Sequence, residues 1–132
     1  MWTSLRDTRE QFGSRFEWLC DSLLRRVQIE YGAGPAGNIT VWISTRDAER
    51  GPNGWSLISL RLTRTREYRI HQLDNTSHCV LSFGIHVHAL GEELGVDFSG
   101  LMEPPFTLAD LRTADFYVVA REVEWRVEGP EN

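Results

Sequence analysis

The chain has 132 residues, of which 41% are hydrophobic and 25% are charged, and its formal net charge is -5 at pH 7. This length suits a single domain with one packed core, which we assign to residues 1–132, and the composition excludes a disordered chain. The longest apolar run, Phe116 to Ala120, is far shorter than the roughly 20 residues of a membrane-spanning helix, so we expect no membrane partner.

The charge is unevenly distributed along the chain. Residues 1–90 contain eleven arginines and nine acidic residues, whereas residues 91–132 contain three arginines and ten acidic residues. An acidic surface attracts basic partners and repels polyphosphates. All fourteen basic residues are arginine, a bias typical of a high-GC bacterium. Cys20 and Cys79 stand at unrelated positions and no signal peptide follows Met1, so we expect reduced thiols and a cytoplasmic location.

An apolar stripe predicts a long helix near the start of the chain. Its residues recur at spacings of three and four, and they are Phe12, Phe16, Leu19, Leu23 and Val27. Ser14 with Glu17 has the form of a capping box that begins this helix, and Thr8 with Gln11 is an alternative start. Glycine and proline between residues 32 and 37 end it.

Four strands are predicted next, joined by short turns. Alternating apolar and polar residues indicate strands at 38–44, 55–62, about 67–73 and 79–89, with a tight connection at 63–66 and a turn at 74–77. The sequence then predicts an irregular segment at 91–106, a short helix from Thr107 to about Thr113, and a central strand at 115–127 with Trp125 in the core.

These elements together predict an α+β fold. We expect a long N-terminal helix packed on a largely antiparallel sheet of about five strands, with a short second helix before the last strand. The acidic side chains of the last third are the predicted partner-binding surface, which would associate rapidly and in a salt-sensitive manner. They are Glu92, Glu93, Asp97, Glu103 and Asp110.

A histidine pair offers an alternative site, for a metal ion. His86 and His88 are two residues apart on a predicted strand, so their side chains share one face, and Glu92 could complete a set of two histidines and a carboxylate. The spacing resembles the first motif of the cupins, a metal-binding family. Val80 stands where that motif has glycine, and no histidine follows His88 to supply the second motif.

Two further surface features allow more than one interpretation. Arginines 61, 64, 66 and 69 surround Tyr68, a pattern compatible with RNA or single-stranded DNA, although the net acidic chain argues against nucleic acid. They could instead protect a sheet edge or pair with acids of the last third. Trp42 and Trp55 lie opposite apolar neighbours, so either they pack internally or at least one is exposed as a protein-binding residue.

The stretches Ile43 to Asp47 and Asn53 to Leu57 resemble a signature of bacterial immunity proteins. In one such family a strand ending in Thr-Leu-Asp leads by a tight turn into Gly-Trp-Ser and an alternating strand. Here Arg46 replaces the leucine, and residues 48–52 are inserted between the two halves. The resemblance implies a small protein that occludes the active site of a cognate toxin, often a basic nuclease.

The sequence contains no nucleophile elbow, phosphate loop or other specific catalytic motif. We therefore expect a non-enzymatic protein-binding inhibitor of the immunity class, with no cofactor. A metal-dependent small-molecule binder or enzyme that uses His86 and His88 is the alternative, and a subunit or chaperone of a larger bacterial assembly is a third. The oligomeric state is left open by the residues.

Overall fold

A computed structural model of the chain describes residues 1–32, 37–71 and 79–131. The strands are β1 (Thr3–Ser4), β2 (Ser22–Glu30), β3 (Asn38–Arg46), β4 (Trp55–Ile70), β5 (Val80–Leu81), β6 (His86–Leu90), β7 (Glu93–Asp97) and β8 (Phe116–Glu131). The helices are α1 (Arg9–Phe16) and α2 (Leu108–Leu111), with 3-10 turns at Arg6–Thr8, Glu17–Leu19 and Ala48–Arg50. The predicted turn at 74–77, the end of the predicted strand 67–73, and Gly34 and Pro35 lie outside the described residues.

The strands form one curled antiparallel sheet. Its order is β5-β2-β3-β4-β8-β7-β6, and β1 pairs with β8 beside β7. The 16-residue strands β4 and β8 pair along almost their whole length and form the spine of the sheet. Because β5 and β6 lie at opposite edges but are only four residues apart in the chain, the sheet must curl to bring its edges together.

The main core fills the inner face of this curl. Phe12 and Phe16 of α1 pack there against Trp125 of β8, with ring centroids 5.7 and 5.5 Å from the indole. A second cluster covers the other face of β8 near its start and includes Phe106, Leu111, Ala114, Tyr117 and Val119. The prediction that this strand is central and first buried on both faces is therefore confirmed, as is the core position of Trp125.

The prediction of a long N-terminal helix is wrong. The helix ends at Phe16, because Glu17, Trp18 and Leu19 all have left-handed φ values between 50° and 64°. The indole of Trp18 folds back over Gly13, where an added Cβ would lie 2.3 Å from Trp18 Nε1. Leu23 and Val27, assigned to the helical stripe, instead belong to β2, and their faces differ because a bulge follows Leu24.

The predicted number and limits of the strands are also corrected. The α+β class is wrong, because 53% of the structure is strand and 18% is helical. The tight connection predicted at 63–66 lies inside β4, where Arg64 has a φ of 52° beside a bulge. The strand predicted at 79–89 is divided into β5 and β6, and the segment predicted as irregular contains β7.

Several local predictions are confirmed. The strand predicted at 38–44 corresponds to β3. The short second helix forms as α2, and Thr107 and Asp110 make the capping box expected from their spacing. In the part of the chain that the structure describes, neither helix is long and apolar enough to cross a membrane.

Candidate protein-binding face

An apolar strip crosses the outer face of the sheet, opposite α1. It consists of Val80 of β5, Leu23 of β2, Trp42 of β3, and Trp55 and Leu57 of β4. The register places Val80, Leu23, Ser44 and Leu57 side by side in one row. Val80 and Leu23 are 47% and 39% exposed, and the other three side chains are half-buried.

Strand alternation explains why these side chains face outward. On β3, Val41 and Ile43 enter the core, so Trp42 between them must point to the opposite face. On β4, Ile58 is likewise buried and Leu57 faces outward. The solvent-facing side of an antiparallel sheet is ordinarily polar. A row of apolar side chains there is typical of a surface that another molecule covers.

An ion pair crosses the middle of this strip. Arg25, at the β2 bulge, donates from Nε to Ser44 Oγ at 3.0 Å and from Nη2 to Glu131 Oε1 at 3.0 Å. It separates two shallow pockets that both include Arg25 and Glu131. One, of about 200 Å3, is lined by Leu23, Ser44 and Trp55. The other, of about 240 Å3, is lined by Arg26, Trp42 and Leu57.

Arginines stack on the tryptophans of the outer face. The Arg26 guanidinium lies 4.9 Å from the Trp42 ring centroid. Trp2, beside β1, lies between Arg61 and Arg126, each 4.2 Å from its ring. Stacked arginine and tryptophan are the residue types that dominate the binding energy of protein interfaces.

Part of the uneven charge of the sequence is neutralised by ion pairs across the sheet. Arginines from residues 1–90 pair with acids of the last third: Arg25 with Glu131, Arg61 with Glu124, and Arg66 with Glu93. The interpretation of these arginines as internal partners of the acidic segment is thereby confirmed for Arg61 and Arg66. Their pairing leaves less positive charge for a nucleic acid.

The predicted acidic residues differ in burial and in their partners. Glu92 and Glu93, at the β6–β7 turn, pair with Arg121 and Arg66 at 2.6 and 3.2 Å. Asp97 is buried, and its carboxylate accepts hydrogen bonds from the backbone of Ser99 and Met102. It therefore stabilises the turn after β7 and is closed to a partner.

The two remaining acids of that set lie on the surface beyond β7. Asp110 caps α2, and the hydrogen bonds from Thr107 hold its carboxyl pKa below the ordinary value. Glu103 is exposed and forms no hydrogen bond or ion pair within the described ranges. Four of the five predicted acids are thus exposed or half-buried, and only Asp97 of the five is buried.

The two histidines contact residues of the segment that follows β7. His86 and His88 share a face of β6, as predicted, and both are half-buried. His86 Nδ1 lies 2.6 Å from the Met102 carbonyl oxygen, and the His88 ring lies 5.3 Å from that of Phe106. Glu92 is directed to Arg121. Across residues 1–32, 37–71 and 79–131, no three His, Cys, Asp or Glu side chains are arranged to hold a metal ion.

A buried carboxylate joins α1 to the β3–β4 turn. Asp47 Oδ1 and Oδ2 accept from Arg15 Nε and Nη2 at 2.8 and 3.0 Å, and Ser56 Oγ donates to Oδ2 at 2.6 Å. Burial acts to raise the Asp47 pKa, but these hydrogen bonds and the Arg15 charge outweigh it and leave the pKa below its ordinary value. Ser56 is also fully buried, so this group of side chains holds the β3–β4 turn against α1.

Sequence reasoning recognised part of this face and missed the rest. Trp42 and Trp55 were candidates for exposure because they alternate with core residues. Leu23 and Arg25 fall within the predicted long helix, and Val80 is not among the predicted binding residues. The alternation of Leu24 with its neighbours could have indicated that this segment is a strand. The extra residue at the bulge, Arg25, interrupts that alternation in the sequence.

Comparison of the chain with protein-family models, with curated proteins and with solved structures gave no significant match.

Proposed function

We propose that this protein is a non-enzymatic protein-binding inhibitor of the immunity class that acts in the bacterial cytoplasm. The observation that carries this proposal is the apolar strip on the outer face of the sheet. A partner seated on it would bury two half-exposed tryptophans and three aliphatic side chains.

The strip has the properties of a rigid docking surface. Its side chains project from hydrogen-bonded strands, so little conformational entropy is lost when a partner orders them. The segment that resembles immunity proteins supplies Trp55 and Leu57 from β4. The resemblance and the apolar strip therefore point to the same part of the molecule.

A second candidate surface is supported by charge. Glu92, Glu93, Glu103 and Asp110 could meet a basic toxin, as expected from the net charge of -5. We favour the apolar strip over this acidic surface. The side chain of Glu92 is 82% exposed and already forms an ion pair with Arg121. Exposed ion pairs add little affinity, whereas buried aromatics dominate most interfaces.

The proposal is tested with two substitutions to serine, at two aliphatic residues whose side chains are almost equally exposed. Leu23→Ser removes a side chain of the strip that is 39% exposed, and Ile70→Ser removes one that is 38% exposed at the opposite end of β4. Tagged wild-type protein and both variants are used to capture partners from lysate of the source bacterium. Each captured protein is identified and then produced alone to measure its toxicity in a test strain.

The expected result is one stoichiometric partner retained by wild type and Ile70→Ser but lost with Leu23→Ser. Co-expression of wild-type protein should also restore growth of cells that produce the partner. A partner that Leu23→Ser retains at wild-type affinity would exclude the strip as its binding surface. A partner without toxicity would favour the third function, a subunit or chaperone of an assembly.

A further inference from the structure

We propose that Asn53 is a site of spontaneous deamidation and that the product disturbs the apolar strip. Asn53 and Gly54 lie in the turn that leads into β4, and Trp55 of the strip follows directly. An asparagine before glycine is especially prone to this reaction, because glycine has no side chain to hinder ring closure and its backbone is conformationally permissive. The inference concerns the covalent chemistry of this turn and goes beyond the proposed function.

The reaction consumes only water and releases ammonia. The backbone nitrogen of Gly54 gives its proton to hydroxide and attacks the side-chain carbonyl carbon of Asn53, and the bond between that carbon and the amide nitrogen breaks. Water then opens the succinimide ring that has formed. Opening at the side-chain carbonyl gives aspartate, whereas opening at the main-chain carbonyl gives isoaspartate, whose side-chain methylene becomes part of the backbone. Both products add a negative charge to the turn.

The reacting groups are weakly held in the folded protein. The Asn53 side chain is exposed and forms no hydrogen bond within the described residues. The Gly54 amide donates to the Gly51 carbonyl oxygen at 3.2 Å and closes a type I turn, because Asn53 has a negative φ. This hydrogen bond must break before the nitrogen can attack. Its length is at the upper end of the ordinary range, and Gly51 and Pro52 are exposed, so we expect the turn to open at low cost.

The longer backbone of isoaspartate does not fit between this turn and β4. A Cβ added at Gly54 would lie 2.3 Å from the backbone oxygen of Arg50, so Gly54 already packs closely on the chain that precedes the turn. Its carbonyl oxygen also accepts a hydrogen bond from the Asp47 amide at 3.0 Å. The additional methylene must therefore displace Gly54 from these contacts or shift the start of β4 at Trp55. For the same steric reason Gly54→Ala is unsuitable as a control that blocks the reaction.

The test incubates the full-length protein in mildly alkaline buffer, both native and unfolded in urea. Peptide mapping by mass spectrometry measures aspartate and isoaspartate at each asparagine over time. Asn38 is an internal reference, because it begins β3 and the branched Ile39 follows it. Asn53→Gln is the unreactive control, since its longer side chain disfavours ring closure. Freshly purified Asn53→Asp carries the new charge on an ordinary backbone, and the indole N–H resonance of Trp55 reports on the strip in each protein.

We expect isoaspartate to accumulate at residue 53 of the native protein, and faster at higher pH because the attacking nitrogen must lose its proton. Asn38 and the Asn53→Gln variant should stay unmodified. The Trp55 resonance should shift in the aged wild-type protein but not in fresh Asn53→Asp. A native protein that remains unmodified would overturn the proposal, and modification in urea alone would identify the closed turn as the cause. Modification at residue 53 that leaves the Trp55 resonance unchanged would overturn the effect on the strip.

Discussion

Asp47 and Ser56 face each other across the β3–β4 turn, joined by a hydrogen bond of 2.6 Å from the serine hydroxyl to the carboxylate. The same carboxylate receives two hydrogen bonds from Arg15 of α1. One buried group thus fastens the helix, the turn and the sheet together. The stretch that resembles immunity proteins contains both residues, so part of that pattern reflects the stability of this turn.

Replacing Asp47 should destabilise the fold strongly. Asp47→Asn leaves Arg15 without its buried counter-charge, and we expect the free energy of unfolding to fall by about 2–4 kcal/mol. Glu49→Gln is the matched control, because Glu49 also pairs with Arg15, at 2.7 Å, but its side chain is 66% exposed. Its loss should cost less than about 1 kcal/mol. Urea unfolding of the two variants measures both values, and equal losses would contradict the structural role of Asp47.

The same carboxylate should make stability fall in acid. The pKa of Asp47 is lowered on folding, so its contribution is complete above the unfolded pKa of about 4 and is lost as the pH drops through the folded value. Glu67 acts in the same direction, because hydrogen bonds from Arg112 lower its pKa. We expect unfolding free energy to decline below about pH 4. Asp47→Asn should decline less steeply, and an unchanged slope would exclude this linkage.

The contact between Gly13 and Trp18 should be detectable by a double-mutant cycle. Gly13→Ala places a methyl group against the indole, and overpacking of this kind costs about 1–3 kcal/mol. In a Trp18→Ala background the same change should stabilise α1 by about 0.5–1 kcal/mol, because alanine is the better helix former. Thermal unfolding of the four proteins gives the coupling. Identical effects in both backgrounds would show that Trp18 does not rest on Gly13.

The stacking of Trp2 between two arginines should contribute to stability. Each cation–π contact at a partly exposed site is worth about 0.5–1 kcal/mol, and Arg61 and Arg126 both lie 4.2 Å from the ring. Trp2→Leu should therefore lower the unfolding free energy by about 1 kcal/mol. Trp2→Phe, which keeps an aromatic ring, should lose less. The order tryptophan, phenylalanine, leucine in chemical denaturation checks this, and a leucine variant as stable as wild type would contradict it.

The sequence predicts those elements correctly whose structure depends on residues close together in the chain. The capping box of α2 and the alternation of β3 depend on residues a few positions apart, and both predictions are confirmed. The stripe from Phe12 to Val27 fits helical spacing equally well whether the chain continues as a helix or turns into a strand. The contact that decides this is the return of Trp18 over Gly13, which residue spacing does not reveal.

Pairing between strands that are distant in the chain explains the other differences between the predicted and the observed elements. Arg64 lies beside a bulge within β4, which continues along β8 where the sequence predicts a turn. Residues 79–89 alternate cleanly, yet β5 and β6 pair with β2 and β7 at opposite edges of the sheet. The candidate face was likewise only half predictable, because Leu23 and Val80 join Leu57 through sheet register.

The most direct test of the account is to observe which surface of the protein a captured partner covers. Unlabelled partner is titrated into 15N-labelled protein, and the five indole resonances and the backbone amides are followed. We predict changes at the indoles of Trp42 and Trp55, while that of Trp125, which donates to Thr8 Oγ1 in the interior, stays constant. Changes confined to the amides around Glu92 and Glu93 would contradict the account and assign binding to the acidic surface.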